Sequence, residues 1–227
     1  MKVDVTQLGK FIRCPRIMHE PVIKSPEEHI IETCISIMHR HFYTNGEEIS
    51  WKKIISQVNG MYIKAYPNDK DFRKGVEAIL LFLSRWRHAV LGISPSDSYF
   101  NVNLEWDMGQ HTLTGNLPIL IVSDKLHIGA FATETDYHLS SARNYYLASL
   151  ALLAARSLDV SDVTIHYIVW KNLTIPPRVK LFPANIFRLN RMEDAVRDIV
   201  YSIGAGLKYP TPGPHCETCK ISSTCRI

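Results

Sequence analysis

Five cysteines, Cys14, Cys34, Cys216, Cys219 and Cys225, are the residues whose type and spacing most plainly invite chemistry. Three of them stand in Cys216-Glu-Thr-Cys219-Lys-Ile-Ser-Ser-Thr-Cys225. A C-x2-C pair sets two thiolates on one tight turn, within reach of a single metal centre. Three thiolates leave a four-ligand site one short, so Cys14 or Cys34 must supply the fourth. Cys14 is the better candidate, because Pro15 places it in a local break and the basic residues around it stabilise a thiolate. Cys34 falls inside a predicted helix at a spacing that suits a small core residue. Zinc and an iron–sulfur cluster both accept four thiolates. Zinc sites usually combine two short knuckles. Here a C-x2-C-x5-C near one end has its partner near the other, which favours the cluster over zinc. Without a metal, four surface thiols would be a liability.

Lys10, Arg13 and Arg16 surround Cys14, with Phe11 between them. Cations interleaved with an aromatic ring suit a nucleic-acid backbone. His39 and His41 are two apart on a predicted helix and do not face each other, so they make a poor ligand pair. There is no Gly-rich phosphate loop, no G-x-S-x-G and no H-E-x-x-H, which argues against an NTPase, an α/β hydrolase and a zinc protease.

The elements that must hold these groups follow from periodicity. Residues 1–20 read as a short helix with Thr6 as a possible N-cap, broken after Cys14 by Pro15. Ser25-Pro26-Glu27-Glu28 starts a second helix that runs to about Tyr43 and stops at Asn45-Gly46. Further helices are predicted from Trp51 to Tyr62 and from Asp71 to Val90. The latter puts Val76, Ile79, Leu80, Leu83 and Trp86 on one face. Strands follow at Tyr99–Asp107, Leu113–Val122 and Lys125–Thr133, then an Ala- and Leu-rich helix to Ser157. Two more strands, Val163–Trp170 and Arg178–Phe182, precede an amphipathic helix at Met192–Leu207. This is an α/β fold with a mixed central sheet of about five strands flanked by helices. The helix between the third and fourth strands offers the crossover that parallel pairing requires.

The chain of 227 residues reads as one domain. Residues 1–98 form its helical N-terminal part, 99–207 an α/β core and 208–227 a Cys-rich tail. Hydrophobic residues make up 46% and charged residues 21%, which excludes a disordered or low-complexity chain. The net charge of +4 permits an anionic partner without demanding one. No apolar run approaches the roughly 20 residues of a membrane span. No signal region follows Met1-Lys2-Val3-Asp4, so a cytoplasmic setting with no membrane partner is expected. In that compartment cysteines serve as ligands or nucleophiles more often than as disulfides.

Two segments carry a family resemblance. Thr6-Gln-Leu-Gly-Lys-Phe-Ile-Arg-Cys14-Pro15-Arg16 resembles the N-terminal segment of RecB-like nucleases of the PD-(D/E)XK superfamily. Tyr209-Pro-Thr-Pro-Gly-Pro-His-Cys216 through Cys225 resembles the tail of their iron–sulfur members, the CRISPR-associated RecB-like exonucleases and the AddB nuclease domain. The resemblance implies a [4Fe–4S] cluster on Cys14, Cys216, Cys219 and Cys225 that ties the two ends of the chain together. It implies a PD-(D/E)XK-like sheet with an N-terminal helical arch over DNA, on which Arg73, Lys74, Arg85, Arg87 and His88 would lie.

The same resemblance implies a divalent cation, Mg2+ or Mn2+, held by carboxylates that activate a water, with a lysine assisting. His29 falls where the family has its helix histidine. The Gly-x-x-Asp position reads Gly115-Asn116-Leu117-Pro118, a proline in place of the carboxylate. The acid-x-Lys strand reads Gly129-Ala130-Phe131-Ala132-Thr133-Glu134-Thr135-Asp136, and no register puts an acid two residues before a lysine. Placing Ala130 at the acid leaves alanines at both positions. Glu134 and Asp136 are the acids that remain there, and Asn144 with Tyr145 stands for the family's Gln/Tyr. The expectation is a nucleic-acid-binding iron–sulfur protein with an eroded nuclease site, accessory or regulatory in DNA metabolism. Two alternatives stand beside it. One is an active DNA exonuclease with displaced ligands, drawn from His29, Glu134, Asp136, Asp107 and Asp124. The other is a module that binds a replication or transcription protein.

Overall fold

Asp4 and Gln7 start the first helix. The Asp4 carboxylate accepts from the Thr6 amide at 2.8 Å, and the Gln7 side chain accepts from the Asp4 amide at 2.8 Å, a reciprocal cap. The computed structural model describes residues 1–15, 28–36, 56, 70–91, 98–123, 125–133, 140–171, 175–207 and 225, without the side chains of 70–73, 84, 87–91, 133 and 140–144. The elements in order are β1 (Lys2–Asp4), α1 (Val5–Arg13), α2 (Lys70–Leu91), β2 (Ser98–Asp107), β3 (Thr112–Val122), β4 (Leu126–Thr133), α3 (Ser140–Leu158), β5 (Asp162–Trp170), β6 (Arg178–Asn185) and α4 (Ile186–Gly204). Residues 28–36 are also helical.

The six strands form one mixed sheet in the order β1-β3-β4-β5-β6, with β2 on β3 as well. β2 runs antiparallel along β3 from Ile121 to Thr112, so it occupies one edge of that strand throughout. β1, parallel at Thr112–Thr114, and β4, antiparallel at Ile119–Val122, therefore share the other edge. β4 and β5 are parallel, with α3 crossing between them as expected.

Helices cover both faces. Leu113, Leu117, Ile128, Ala130, Val163 and Ile165 pack with α1, α3 and α4. From Leu147 to Ala155 every α3 residue is buried, which marks it as the central helix of that layer. On the opposite face Ile119, Ile121, Ile168 and Trp170 pack with Ile30, Ile31, Cys34 and Ile35 and with the Val76–Trp86 face of α2. Arg156 of α3 donates to Glu193 of α4 at 2.6 and 2.9 Å, and Arg197 donates to the same carboxylate at 2.8 and 3.0 Å. Burial alone would raise the Glu193 pKa, but the two guanidinium groups more than offset it and hold it below the usual range. Among the described residues no helix is long and apolar enough to cross a membrane.

Among the described residues the sheet has six strands rather than about five. The added strand is β1, three residues long, which leaves no room for alternation to register. The first helix is capped by Asp4, not Thr6. β6 continues through Pro183 to Asn185, which caps α4 by accepting from the Arg188 amide at 3.0 Å. That helix therefore begins six residues before Met192.

Candidate functional site

Strand alternation changes face once, at the position where the sequence places the missing carboxylate. Leu113, Gly115 and Leu117 of β3 point at the α1–α3 layer, whereas Ile119 and Ile121 point at the α2 layer. The partner strand changes with it: Phe100 lies with Ile119, but Val102 and Leu104 lie with Leu117 and the first layer. The ladder passes from Phe100↔Ile119 to Val102↔Leu117, with Asn101 and Pro118 opposite each other in the gap. Asn101 takes the left-handed conformation, φ 53°, which Asn tolerates better than most residues. Pro118 has no N–H to donate across the gap. Beside it, Asn116 donates to Asn103 at 2.9 Å on the exposed surface. The position the resemblance assigns to a metal-binding carboxylate is thus a reversal of the strand face, flanked by neutral amides.

The adjacent strand offers no replacement in the register that aligns Ala130 with the acid. Ala130 is fully buried and Ala132 is 6% exposed, both in the core against α3. A carboxylate and a lysine there would face hydrocarbon rather than a cation. Asp107 pairs with Thr112, six residues and roughly 20 Å along β3 from Pro118. Its carboxylate accepts from the Gly109 amide at 2.8 Å, which makes it a turn residue of the β2–β3 hairpin. His29 is exposed on a helix that buries Ile30, Ile31, Cys34 and Ile35, and Thr33 caps its carbonyl at 2.8 Å. Tyr145 is on α3 and packs, partly buried, against the first core layer. Asp124, Glu134 and Asp136 lie outside the described residues, as do His39 and His41. So does the Asn144 side chain. Among the described residues no group of three or more His, Cys, Asp or Glu side chains is gathered as a metal site.

Cys14 and Cys34 are both buried, so burial alone does not separate them. Cys34 is fully buried, and burial pushes its thiol up to about 12. A thiol so placed resists ionisation, which is in keeping with a core position. Cys14 ends α1, its amide donating to the Lys10 carbonyl at 2.8 Å, and is 5% exposed. Cys225 is half-buried, and Cys14, Cys34 and Cys225 are all free of disulfides. Cys216 and Cys219 lie outside the described residues.

Lys10 and Arg13 occupy the last turn of α1, where positive charge complements the helix dipole. Phe11 packs against the first core layer and is not an open stacking platform. Lys74 and Arg85 are exposed on α2. Arg16 and the side chains of Arg73, Arg87 and His88 lie outside the description.

One constellation has no local sequence signal. Trp86 of α2 lies over Gly129, where an added Cβ would meet its ring at 3.1 Å. Its indole N–H donates to His166 Nδ1 at 3.2 Å, and His166 Nε2 is 3.0 Å from His127 Nδ1. The indole can only donate, so His166 accepts at Nδ1 and, when neutral, carries its proton on Nε2 toward His127. Burial, then the neighbouring His127, push His166 down from 6.5 to about 4. The unfolded chain takes this proton near pH 6.5, the folded one only near pH 4. In that window the unfolded state binds more protons, so stability falls as the pH is lowered from about 6.5 to about 4, by up to roughly 3 kcal/mol for this group. Urea unfolding of wild type and His166→Gln from pH 7 to 4 checks this. The variant should lose about one proton's worth of slope, and parallel curves would show that the ring is not held neutral.

No protein-family model matches the chain, and no curated protein matches it. Among solved structures, a candidate exonuclease from Eubacterium rectale superposes with a TM-score of 0.55 at 10% identity. The match covers 99% of this chain and 88% of that one. The chain has a nuclease-like fold. A phage-related exonuclease from Haemophilus somnus is also similar, 14% identical over 91% of this chain and 93% of that one, at a TM-score of 0.41. Within this nuclease-like fold, the reversal at Asn101 and Pro118 falls on the strand that the resemblance expected to carry chemistry.

Proposed function

We propose that this chain binds nucleic acid through a nuclease-like fold whose cleavage site has lost its ligands, and that it serves as an accessory or regulatory factor in DNA metabolism. The observation that carries this reading is the strand reversal at Asn101 and Pro118, together with the core-facing Ala130 and Ala132. Without carboxylates at those positions, the described residues give neither the cation nor the activated water a holder. A [4Fe–4S] cluster on Cys14, Cys216, Cys219 and Cys225 completes the reading. The donor set fits such a group. Four thiolates suffice, Cys14 is a buried thiol at a helix end, and Cys34 is accounted for as core. The cluster's part is structural, joining the chain's ends, and a reducing cytoplasm suits its thiolates.

Labelled single- and double-stranded DNA incubated with the purified protein and Mg2+ or Mn2+ tests the reading. The expected result is binding that weakens with added salt, as phosphate contacts require, and no cleavage above background. Robust cutting abolished by Glu134→Ala would make it an active exonuclease with displaced ligands. Absence of DNA binding would favour the protein-interaction reading.

A further inference from the structure

From Val163 to Met192 the chain has no acidic residue and five cations, Lys171, Arg178, Lys180, Arg188 and Arg191. The net charge of the whole chain is +4, so the other residues together carry −1. The excess positive charge therefore sits between Lys171 and Arg191, on the segment that leads from the end of β5 through β6 into α4, ahead of Glu193. Each of the five cations is exposed. β6 is the last strand of the sheet, with Leu181 63% and Val179 40% exposed. Phe187 follows at the start of α4 and is 77% exposed, the largest exposure of any bulky apolar side chain described. Arg188 lies 4.1 Å over the Phe182 ring and donates to the Pro183 carbonyl at 2.9 Å, so its guanidinium is fixed at the strip.

We infer that the β6 edge and the start of α4 form a binding strip for single-stranded nucleic acid, with Phe187 stacking on an unpaired base. This rests on the nucleic-acid reading above and places the contact on β6 and α4 rather than on Lys10 and Arg13 of α1. A row of cations attracts a polyanion, and an open aromatic ring discriminates in favour of a strand whose bases are unpaired. An acidic peptide added as a seventh strand fits less well. Pro183 supplies no N–H at the edge, and charged residues on an edge strand oppose such pairing.

The test is fluorescence anisotropy of the full chain with a labelled 20-nucleotide oligo-dT and with a duplex of equal length, at several salt concentrations. Phe187→Ala should weaken oligo-dT binding roughly ten-fold and leave the duplex nearly unchanged. Arg178→Ala with Lys180→Ala should weaken both and lower the oligo-dT salt slope by about 1.4. Circular dichroism confirms that these surface variants fold. If wild type binds oligo-dT and Phe187→Ala binds it equally well, or if only Lys10→Ala with Arg13→Ala weakens it, the strip is wrong while the nucleic-acid reading stands. If polyglutamate competes as well as unlabelled oligo-dT, the strip belongs to an acidic protein partner and the inference falls. If wild type binds neither DNA, the nucleic-acid reading fails and takes the strip with it.

Discussion

Gly115→Val should leave little folded protein at 37 °C, and Gly115→Ala should fold with a lowered Tm. A Cβ at this position would stand 2.7 and 3.1 Å from the Val5 methyls and 2.9 Å from Leu153 Cδ2. Both neighbours are fully or nearly buried, Val5 at 1% and Leu153 at 0% exposure, so neither has space to retreat. The glycine lets α1 and α3 settle directly on β3. Overpacking a tight core of this kind costs about 1–3 kcal/mol, of which lower unfolded-state entropy returns less than about 1 for alanine. At roughly 2–4 °C per kcal/mol for a chain of this size, alanine should lower the Tm by about 5 °C. Valine adds two methyls to the same gap and approaches the whole stability of a marginal fold. Thermal unfolding measures it, and an unchanged Tm in Gly115→Ala would mean that the helices do not lie this close.

Cys14→Ala should remove the iron. Protein purified without oxygen should be brown, with about four irons per chain. The variant should be colourless and poorly recovered, because a structural metal site contributes on the order of 10 kcal/mol, comparable with total stability. Cys34→Ala should keep its colour and lose on the order of 1 kcal/mol, the cost of a small cavity among Ile30, Ile31 and Ile35. Iron analysis and absorbance spectra of the three proteins decide it. A wild-type protein with one zinc and no colour would replace the cluster, and iron lost from Cys34→Ala but kept in Cys14→Ala would reverse the ligand assignment.

The long elements were legible because their periods are long. The Val76–Trp86 face of α2 follows from spacing, and β5 and the crossover by α3 from the order and type of their residues. Pro118 was also legible, since a proline where the resemblance expects a carboxylate is visible in one letter. Its consequence was not: the reversal needs Asn101, seventeen residues earlier, to be placed opposite it by the hairpin register. The His127–His166–Trp86 chain was hidden for the same reason, its two histidines being 39 residues apart on strands joined only by topology. Two misses had local signals. Asp4-x-x-Gln7 is a capping box, and Asn185 is a good cap for a helix that the sequence reading began at Met192. The charge of the Val163–Met192 stretch was also written in the sequence. It gained meaning only once β6 was the sheet's last strand.

The pairing of β1 with β3 sets a timetable for folding. Lys2, Val3 and Asp4 meet Thr112, Leu113 and Thr114, and Val5 meets Gly115 and Leu153. On a ribosome adding about 5–20 residues per second, α1 waits several seconds or more before its strand partner, and then α3, is made. Its reciprocal cap is local, since Asp4 and Gln7 are three residues apart, but a nine-residue helix is marginal on its own, so α1 is held only once Val5 and Leu8 are covered. Closing a loop of more than a hundred residues comes late in a folding reaction. The segment that ends at Cys14 is thus the part of this core made first and fixed last.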